Sequence, residues 1–287
     1  MITIKDIINT REIYDYQMSM SFPYGFPVDY DIWEKSFLND IDGEGRNIFR
    51  ELRGKVAYEN EKMVGFIQYG NSAIGFDENG EISSDLSYSV IRSFYFDEGY
   101  EETGRELLKT AMSDLGQSDR VYAFFHYFGM SCFARHGKLF EKYTWIAKVL
   151  QEYGFVIEHE NVYYASELGK VQTLEDIDII WKDRTKGNQQ ACDFMQGDTW
   201  IGECELHYLE KSNIVYLRWI YIDEKLQNQG MGSKCMNRLK HALVQRGFCK
   251  LDTDTAVDNL IAQRYYEKNG FSREGITRSY YRDSKIL

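Results

Sequence analysis

The residues best suited to chemistry lie in one short run, Gln227-Asn228-Gln229-Gly230-Met231-Gly232. A β-rich stretch, Ile214 to Ile222, leads into it. A helical pattern follows, with Met231, Cys235, Leu239 and Leu243 at a spacing of four. A strand that enters a glycine turn and then a helix makes an anion site, because the first helical N–H groups lack backbone partners and the dipole is positive there. Gly230 and Gly232 carry no Cβ, so a phosphate can approach the backbone, and Ser233 adds a hydroxyl. By itself the turn is weak evidence, and the alternative is a tight strand-to-helix connection. It is not a P-loop, since no Gly-Lys-Ser/Thr follows, and the third glycine of a dinucleotide fingerprint is missing.

Downstream, Asn259 is followed after seven residues by Tyr266 and after eleven by Gly270-Phe271. With both segments in this order, residues 214–282 resemble the GNAT superfamily of acyl-CoA-dependent N-acetyltransferases. Gln227-x-x-Gly230-x-Gly232 matches the family's Arg/Gln-x-x-Gly-x-Gly/Ala signature, and Tyr266-Glu267-Lys268-Asn269-Gly270-Phe271 follows its Tyr-Glu-Lys-x-Gly-Phe segment. The resemblance implies acetyl-CoA as co-substrate and no metal. It implies that the backbone of Ile220, Tyr221 and Ile222 bonds the pantetheine arm like an added strand. Amides of Gln227, Asn228, Gln229, Gly230, Met231, Gly232 and Ser233 would hold the pyrophosphate. Asn259 would touch the pantetheine or fix the local backbone. Tyr266 would protonate the departing thiolate, with Tyr265 as the neighbouring alternative; for either, the bland alternative is a core aromatic on an amphipathic helix. Family members often carry a glutamate on the strand before the turn, but Tyr216-Leu217-Arg218-Trp219-Ile220-Tyr221 holds no carboxylate. Glu203 and Glu205 share one strand face, as do Asp252 and Asp254. Any of these four could accept a proton through water, with Glu203 and Glu205 as the tentative bases, against the alternative of solvent-facing carboxylates.

The elements that must position these residues form a repeated plan. Gln190 to Met195 and Trp200 to Leu209 flank Gln196-Gly197-Asp198-Thr199 and predict a β-hairpin. Phe248 to Thr255 reads as the strand after the helix. Asp258 is placed to cap a helix ending at Lys268, and 271–282 reads as a final strand pair. The first half repeats this plan more weakly. It has helix candidates at Tyr14–Met20 and Tyr30–Leu38, a hairpin at Lys55–Gly70, a strand at Ser89–Phe96 and a helix at Arg105–Leu115. A strand at Arg120–His126 and a long helix-like stretch to Tyr153 complete it. The expected fold is α/β (α+β), two tandem GNAT-like domains spanning 1–168 and 169–287, each a mixed, mostly antiparallel sheet flanked by helices. The second copy has only Gly169 to Gln189 before its hairpin, room for a strand and a turn.

Aligning Gly104 with Gly230 puts Glu101, Glu102 and Glu106 at the positions of Gln227, Asn228 and Gly232. Two like charges ~4 Å apart repel by roughly 4 kcal/mol at an effective dielectric of 20. Leu150 and Tyr143 fall at the positions of Tyr266 and Asn259. The first copy is thus expected to be degenerate and not to bind CoA.

Charge divides in the same way: residues 1–168 are net −12 and 169–287 net +1. An acidic first half argues against nucleic acid and anionic membranes. The five cysteines form no C-x-x-C pair, and neither a leader nor a membrane-length apolar run is seen, so a cytoplasmic protein is expected. The function these features imply is N-acetylation of a primary amine, small or cationic, near a cleft between the domains. A non-catalytic acyl-CoA-binding regulatory module and a protein or peptide N-acetyltransferase are the alternatives. Oligomeric state is left open.

Overall fold

Runs of alternating apolar and polar residues become paired strands, and the spaced apolar stripes become helices laid on them. The computed structural model describes residues 1–42, 45–76, 82–116, 118–134, 136–169 and 176–283. The first elements are β1 (Ile2–Asp6), α1 (Thr10–Ser19), α2 (Tyr30–Leu38), β2 (Phe49–Glu59), β3 (Lys62–Ser72), β4 (Gly75–Phe76) and β5 (Ile82–Ser83). There follow β6 (Ser89–Phe96), α3 (Glu101–Leu115), β7 (Arg120–Ala123), β8 (Leu139–Phe140), α4 (Thr144–Glu152) and β9 (Val156–Glu167). The last are β10 (Asp178–Trp181), β11 (Gln189–Gln196), β12 (Thr199–Tyr208), β13 (Ile214–Ile222), α5 (Met231–Gln245), β14 (Lys250–Ala256), α6 (Leu260–Lys268) and β15 (Ser272–Asp283).

Two compact units result, and they do not follow chain order. One holds Met1–Asp42, Arg46–Glu160 and the C-terminal stretch from Thr277; the other holds Asn161–Ile276. The division thus falls at 160/161 and 276/277, where chain order suggests 168/169. In the first unit β1, β2, β3 and β6 pair antiparallel and β6 pairs β7 in parallel. Tyr280–Asp283 of β15 completes this sheet antiparallel to β7. In the second unit residues 161–167 of β9 pair antiparallel with β14, β14 pairs in parallel with β13, and β12, β11 and β10 follow antiparallel. Each sheet is mixed and mostly antiparallel. The second core lies between its sheet and α5 and α6, where Cys204, Leu206, Leu217 and Leu251 meet Cys235, Met236, Leu239 and Tyr266.

Several local expectations are corrected. The final strand pair is one strand, β15. Gly275 takes a φ of 144°, open to glycine, and the run stays extended through it. The helix-like stretch before Tyr153 is helical only from Thr144. Gly129 and Gly137 interrupt it, and short 3-10 turns at His126–Phe128 and Ser131–Phe133 take its place. The strand at Arg120 stops at Ala123 because Phe124 turns to a φ of 56°. α3 begins at Glu101, ahead of Arg105. The cap of α6 is Asn259, not Asp258. Of the segment Gly169–Gln189, residues 170–175 lie outside the described residues; the remainder contains β10.

Candidate functional site

The site is built where two parallel strands part. β13 and β14 are in register from Ile214/Lys250 to Leu217/Thr253 and no further, although β13 runs on to Ile222 and β14 to Ala256. A bulge starts the separation: Glu205 faces Trp219 and Leu206 faces Leu217, so Arg218 is the extra residue. A bulge bends its strand and increases its twist. The backbone of Arg218 to Ile222 is therefore left without a strand on its β14 side. Ile220 and Ile222 pack toward the α5 core, while Trp219 and Tyr221 point to the opposite face.

The glycine turn stands at the open end of this gap. Gln227 Nε2 donates to Ile222 O at 2.9 Å, which ties the turn to the strand it follows, and Gln229 Nε2 donates to Lys225 O at 2.6 Å within the loop. Asn228 and Gly230 have φ of 58° and 82°, and Gly230 caps α5. The first helical bond runs from Lys234 N–H to Gly230 O at 3.2 Å, so the amides of Met231, Gly232 and Ser233 precede it. The first turn of α5 contains no acidic residue.

Tyr265 and Tyr266 have different surroundings. The Tyr265 hydroxyl donates to Gly232 O at 2.8 Å, and its ring lies where a Cβ on Gly232 would stand, 3.0 Å away. Tyr265 braces the turn and its proton is engaged. Tyr266 is buried against Tyr164 and Phe271, and its hydroxyl lies beside the Thr253 side chain. Thr253 in turn donates to Leu217 O at 2.9 Å, so the Tyr266 phenol sits at the apex of the gap. Burial raises its pKa above the ordinary phenol value and the Thr253 side chain opposes this in part, leaving a neutral phenol at pH 7. The Asn259 side chain accepts from Ala262 N–H at 3.1 Å, which makes it a helix cap that fixes the local backbone.

The carboxylates fall into two groups on the other face. Glu203 pairs with Lys182 at 3.3 Å and Glu205 with Arg218. Asp252 is buried, bonded by Tyr163 at 2.9 Å and Lys250 at 3.1 Å, and burial raises its pKa. Asp254 is half-buried, one residue past the last β13–β14 pair, and accepts from the Tyr216 hydroxyl at 2.5 Å. Thr253, Tyr216, Tyr163 and the Arg218 bulge were not legible from spacing, because each acts through a partner on another strand. Among the described residues no group of three or more His, Cys, Asp or Glu is arranged to hold a metal.

The first unit differs at each of these points. β6 leaves β7 after Ile91, but its free end is buried at every residue. Tyr95 packs against Phe22 and Phe124, and Trp145 Nε1 donates to Phe96 O at 2.9 Å. α3 starts early enough that Gly104 N–H already donates to Tyr100 O at 2.9 Å. A Cβ on Gly104 would stand 2.4 Å from the Phe96 ring, so this glycine serves packing.

One buried cation supports the second site from beneath. Lys240 on α5 donates to Ser166 Oγ at 2.7 Å and to Asn269 O, at the end of α6, at 2.6 Å. Burial lowers its pKa from 10.5 to about 8. Between these values the unfolded chain binds a proton that the folded chain does not, so this group's contribution to stability rises with pH from about 8 toward 10.5. Buried thiols and tyrosines act in the opposite sense but cancel in a difference. Urea unfolding of the wild type minus Lys240→Met is expected to shift in favour of the wild type from pH 8 to pH 10; a flat difference would refute the assignment.

The second unit thus joins a parallel strand pair that parts, a glycine turn at the open end and a tyrosine beside the apex. A sequence profile of the acetyltransferase (GNAT) family matches residues 155–271. No curated protein matches the chain in sequence. Among solved structures, the chain is similar to a glucosamine N-acetyltransferase region in a fungal multi-domain GH3 β-N-acetylglucosaminidase, with a TM-score of 0.64 and 13% identity over 98% of this chain. The chain spans 38% of that protein's length. It is similar to a GCN5-related N-acetyltransferase from Sphaerobacter thermophilus, with a TM-score of 0.56 and 8% identity over 98% of this chain and 95% of that one. A tandem GNAT protein from the clavulanic acid biosynthesis pathway gives a TM-score of 0.55 at 8% identity over 99% and 98% of the two chains. At such identities the likeness is one of fold, and the fold is the mixed α/β one expected. No helix among the described residues is long and apolar enough to cross a membrane.

Proposed function

We propose that the 161–276 unit transfers an acetyl group from acetyl-CoA to a primary amine. The observation that carries this reading is the parted strand pair with Tyr266 at its apex and unbonded helical amides at its mouth. The free backbone of Ile220, Tyr221 and Ile222 bonds the pantetheine. The amides from Asn228 to Ser233 take the diphosphate, the Gln227 N–H being bonded to Glu224 O at 3.4 Å, with Asn259 and Tyr265 holding the two helix starts in place. The thioester, when bound, supplies the acyl group and a thiolate leaving group. Asp254 accepts the amine proton, oriented by Tyr216, and Tyr266 returns a proton to sulfur. Glu203 and Glu205, the other candidates, already pair with Lys182 and Arg218, which leaves Asp254 as the carboxylate nearest the apex. The first unit is read as a copy that does not bind CoA, since aromatic side chains bury its free strand and its helix consumes the equivalent amides.

Thiol release against a panel of amines tests the reading. Tyr266→Phe is expected to lower kcat by about 10² or more, with acetyl-CoA affinity unchanged by calorimetry. Acetyl-CoA binding without thiol release for any amine would instead favour a non-catalytic module.

A further inference from the structure

One patch of the second unit has no role assigned in this chemistry. On the sheet side away from α5, strands β11, β12 and β13 interleave carboxylates with aromatic rings. Asp193 stands opposite Glu203, Glu203 opposite Tyr221, and Glu205 opposite Trp219. Trp200, Trp219 and Tyr221 keep 38%, 39% and 42% of their surfaces exposed, and the Trp200 and Tyr221 rings are 6.1 Å apart. Exposed indole and phenol faces among carboxylates attract a cation through both the ring quadrupole and the charge.

The chain itself shows that an ammonium fits. Lys182 Nζ lies 3.0 Å from Asp193 Oδ1 and 3.3 Å from Glu203 Oε2. Lys182 and Arg218 supply two positive charges to Asp193, Glu203 and Glu205, so the set keeps one negative charge. Its position ties it to transfer. Trp219 and Tyr221 flank Ile220, in the middle of the strand that β14 leaves free. Same-face neighbours on a strand are about 7 Å apart, so the rings begin about one such step beyond the apex.

We propose that this face is an acceptor subsite for a second positive charge. The substrate class is a primary amine bearing another, unreacting ammonium or guanidinium, seated on Trp219 and Tyr221 beside Glu203 and Glu205. The proposal rests on the acetyl-transfer reading only for the fate of the reacting amine. Lys182 is then an internal competitor for Glu203, as Arg218 is for Glu205.

The test compares 1,4-diaminobutane with n-pentylamine, matched in length and differing in the terminal ammonium, using the full chain, acetyl-CoA and thiol release. The kcat/KM ratio is expected to favour the diamine by about tenfold. Glu203→Gln is expected to bring the ratio toward one, and Lys182→Met to raise it because the competitor is gone. A structural role for this ion pair would not give opposite signs. A wild-type ratio near one, or a ratio that falls in Lys182→Met, overturns the subsite. Where neither amine is turned over, calorimetric binding of the two amines to the chain saturated with CoA must give the same preference and the same signs. Failure of acetyl transfer thus shows as absent thiol release, and failure of the subsite as amines that bind or react alike.

Discussion

A chain beginning at Gly169 is expected to show no cooperative unfolding transition and no acetyl-CoA binding, although it contains every residue of the glycine turn and α6. The cut removes residues 161–167, along which β14 is paired from Ala256 back to Lys250. It takes away Tyr163, which bonds the buried Asp252, and Tyr164, which packs on Tyr266 and donates to Glu267 at 3.0 Å. It also removes Ser166, a partner of Lys240. Deleting one large buried aromatic typically costs about 3–5 kcal/mol. That is a large share of the ~5–15 kcal/mol by which a whole domain is stable. The exposed β14 edge then invites aggregation. A chain from Asn161 to Ile276 keeps these partners and is expected to melt cooperatively and bind acetyl-CoA. Circular dichroism melts and calorimetry on the two chains decide the matter. Equal folding and affinity would mean that residues 161–167 are dispensable.

That outcome depends on strand partners, which the sequence does not display. The hairpins at 49–72 and 189–208 were legible because alternation and turn residues are local, and α5 because its apolar stripe is local. The choice of β9 as neighbour to β14 is a pairing between residues 161–167 and 250–256, and no short-range pattern encodes it. The same holds for the site. Gly230, Gly232, Asn259 and Tyr266 were legible as a spacing. The gap they serve arises from the Arg218 bulge and from a register that ends at Leu217/Thr253. The relation of Tyr266 to Thr253, and of Asp254 to Tyr216, follows from that register. In the first unit the same glutamates have a second effect. Glu101 and Glu102 lie in the first turn of α3, where negative charge favours a helix start. The charge that opposes a phosphate thus also accompanies the early start of α3, where the equivalent amides are consumed.

Gly232→Glu, which copies the residue at position 106 into the second unit, is expected to weaken acetyl-CoA binding by at least 10²-fold while the chain stays folded. Two effects combine. A Cβ at position 232 would stand 3.0 Å from Tyr265 Cε2 and 3.6 Å from Ile222 Cγ1, so the ring that braces the turn must give slightly. The carboxylate then lies beside the amides of Met231 and Ser233, where a diphosphate would compete with a fixed negative charge. Repulsion of roughly 4 kcal/mol between like charges ~4 Å apart, at an effective dielectric of 20, exceeds what a 10²-fold loss requires. Gly232→Ala separates the two effects, since it adds the Cβ without the charge. Its affinity is expected to fall several-fold at most. Because position 232 lies within α5 and Tyr265 is at the edge of the core, both variants should keep the wild-type melting temperature within a few degrees. The charge effect also carries a signature that packing lacks: it is screened by salt. The Gly232→Glu deficit should therefore shrink between 0.05 and about 0.5 M salt, and the Gly232→Ala deficit should not. Undiminished affinity in Gly232→Glu by calorimetry would remove the diphosphate from this turn, and equal losses in the two variants would make Gly232 a packing residue, as Gly104 is against Phe96.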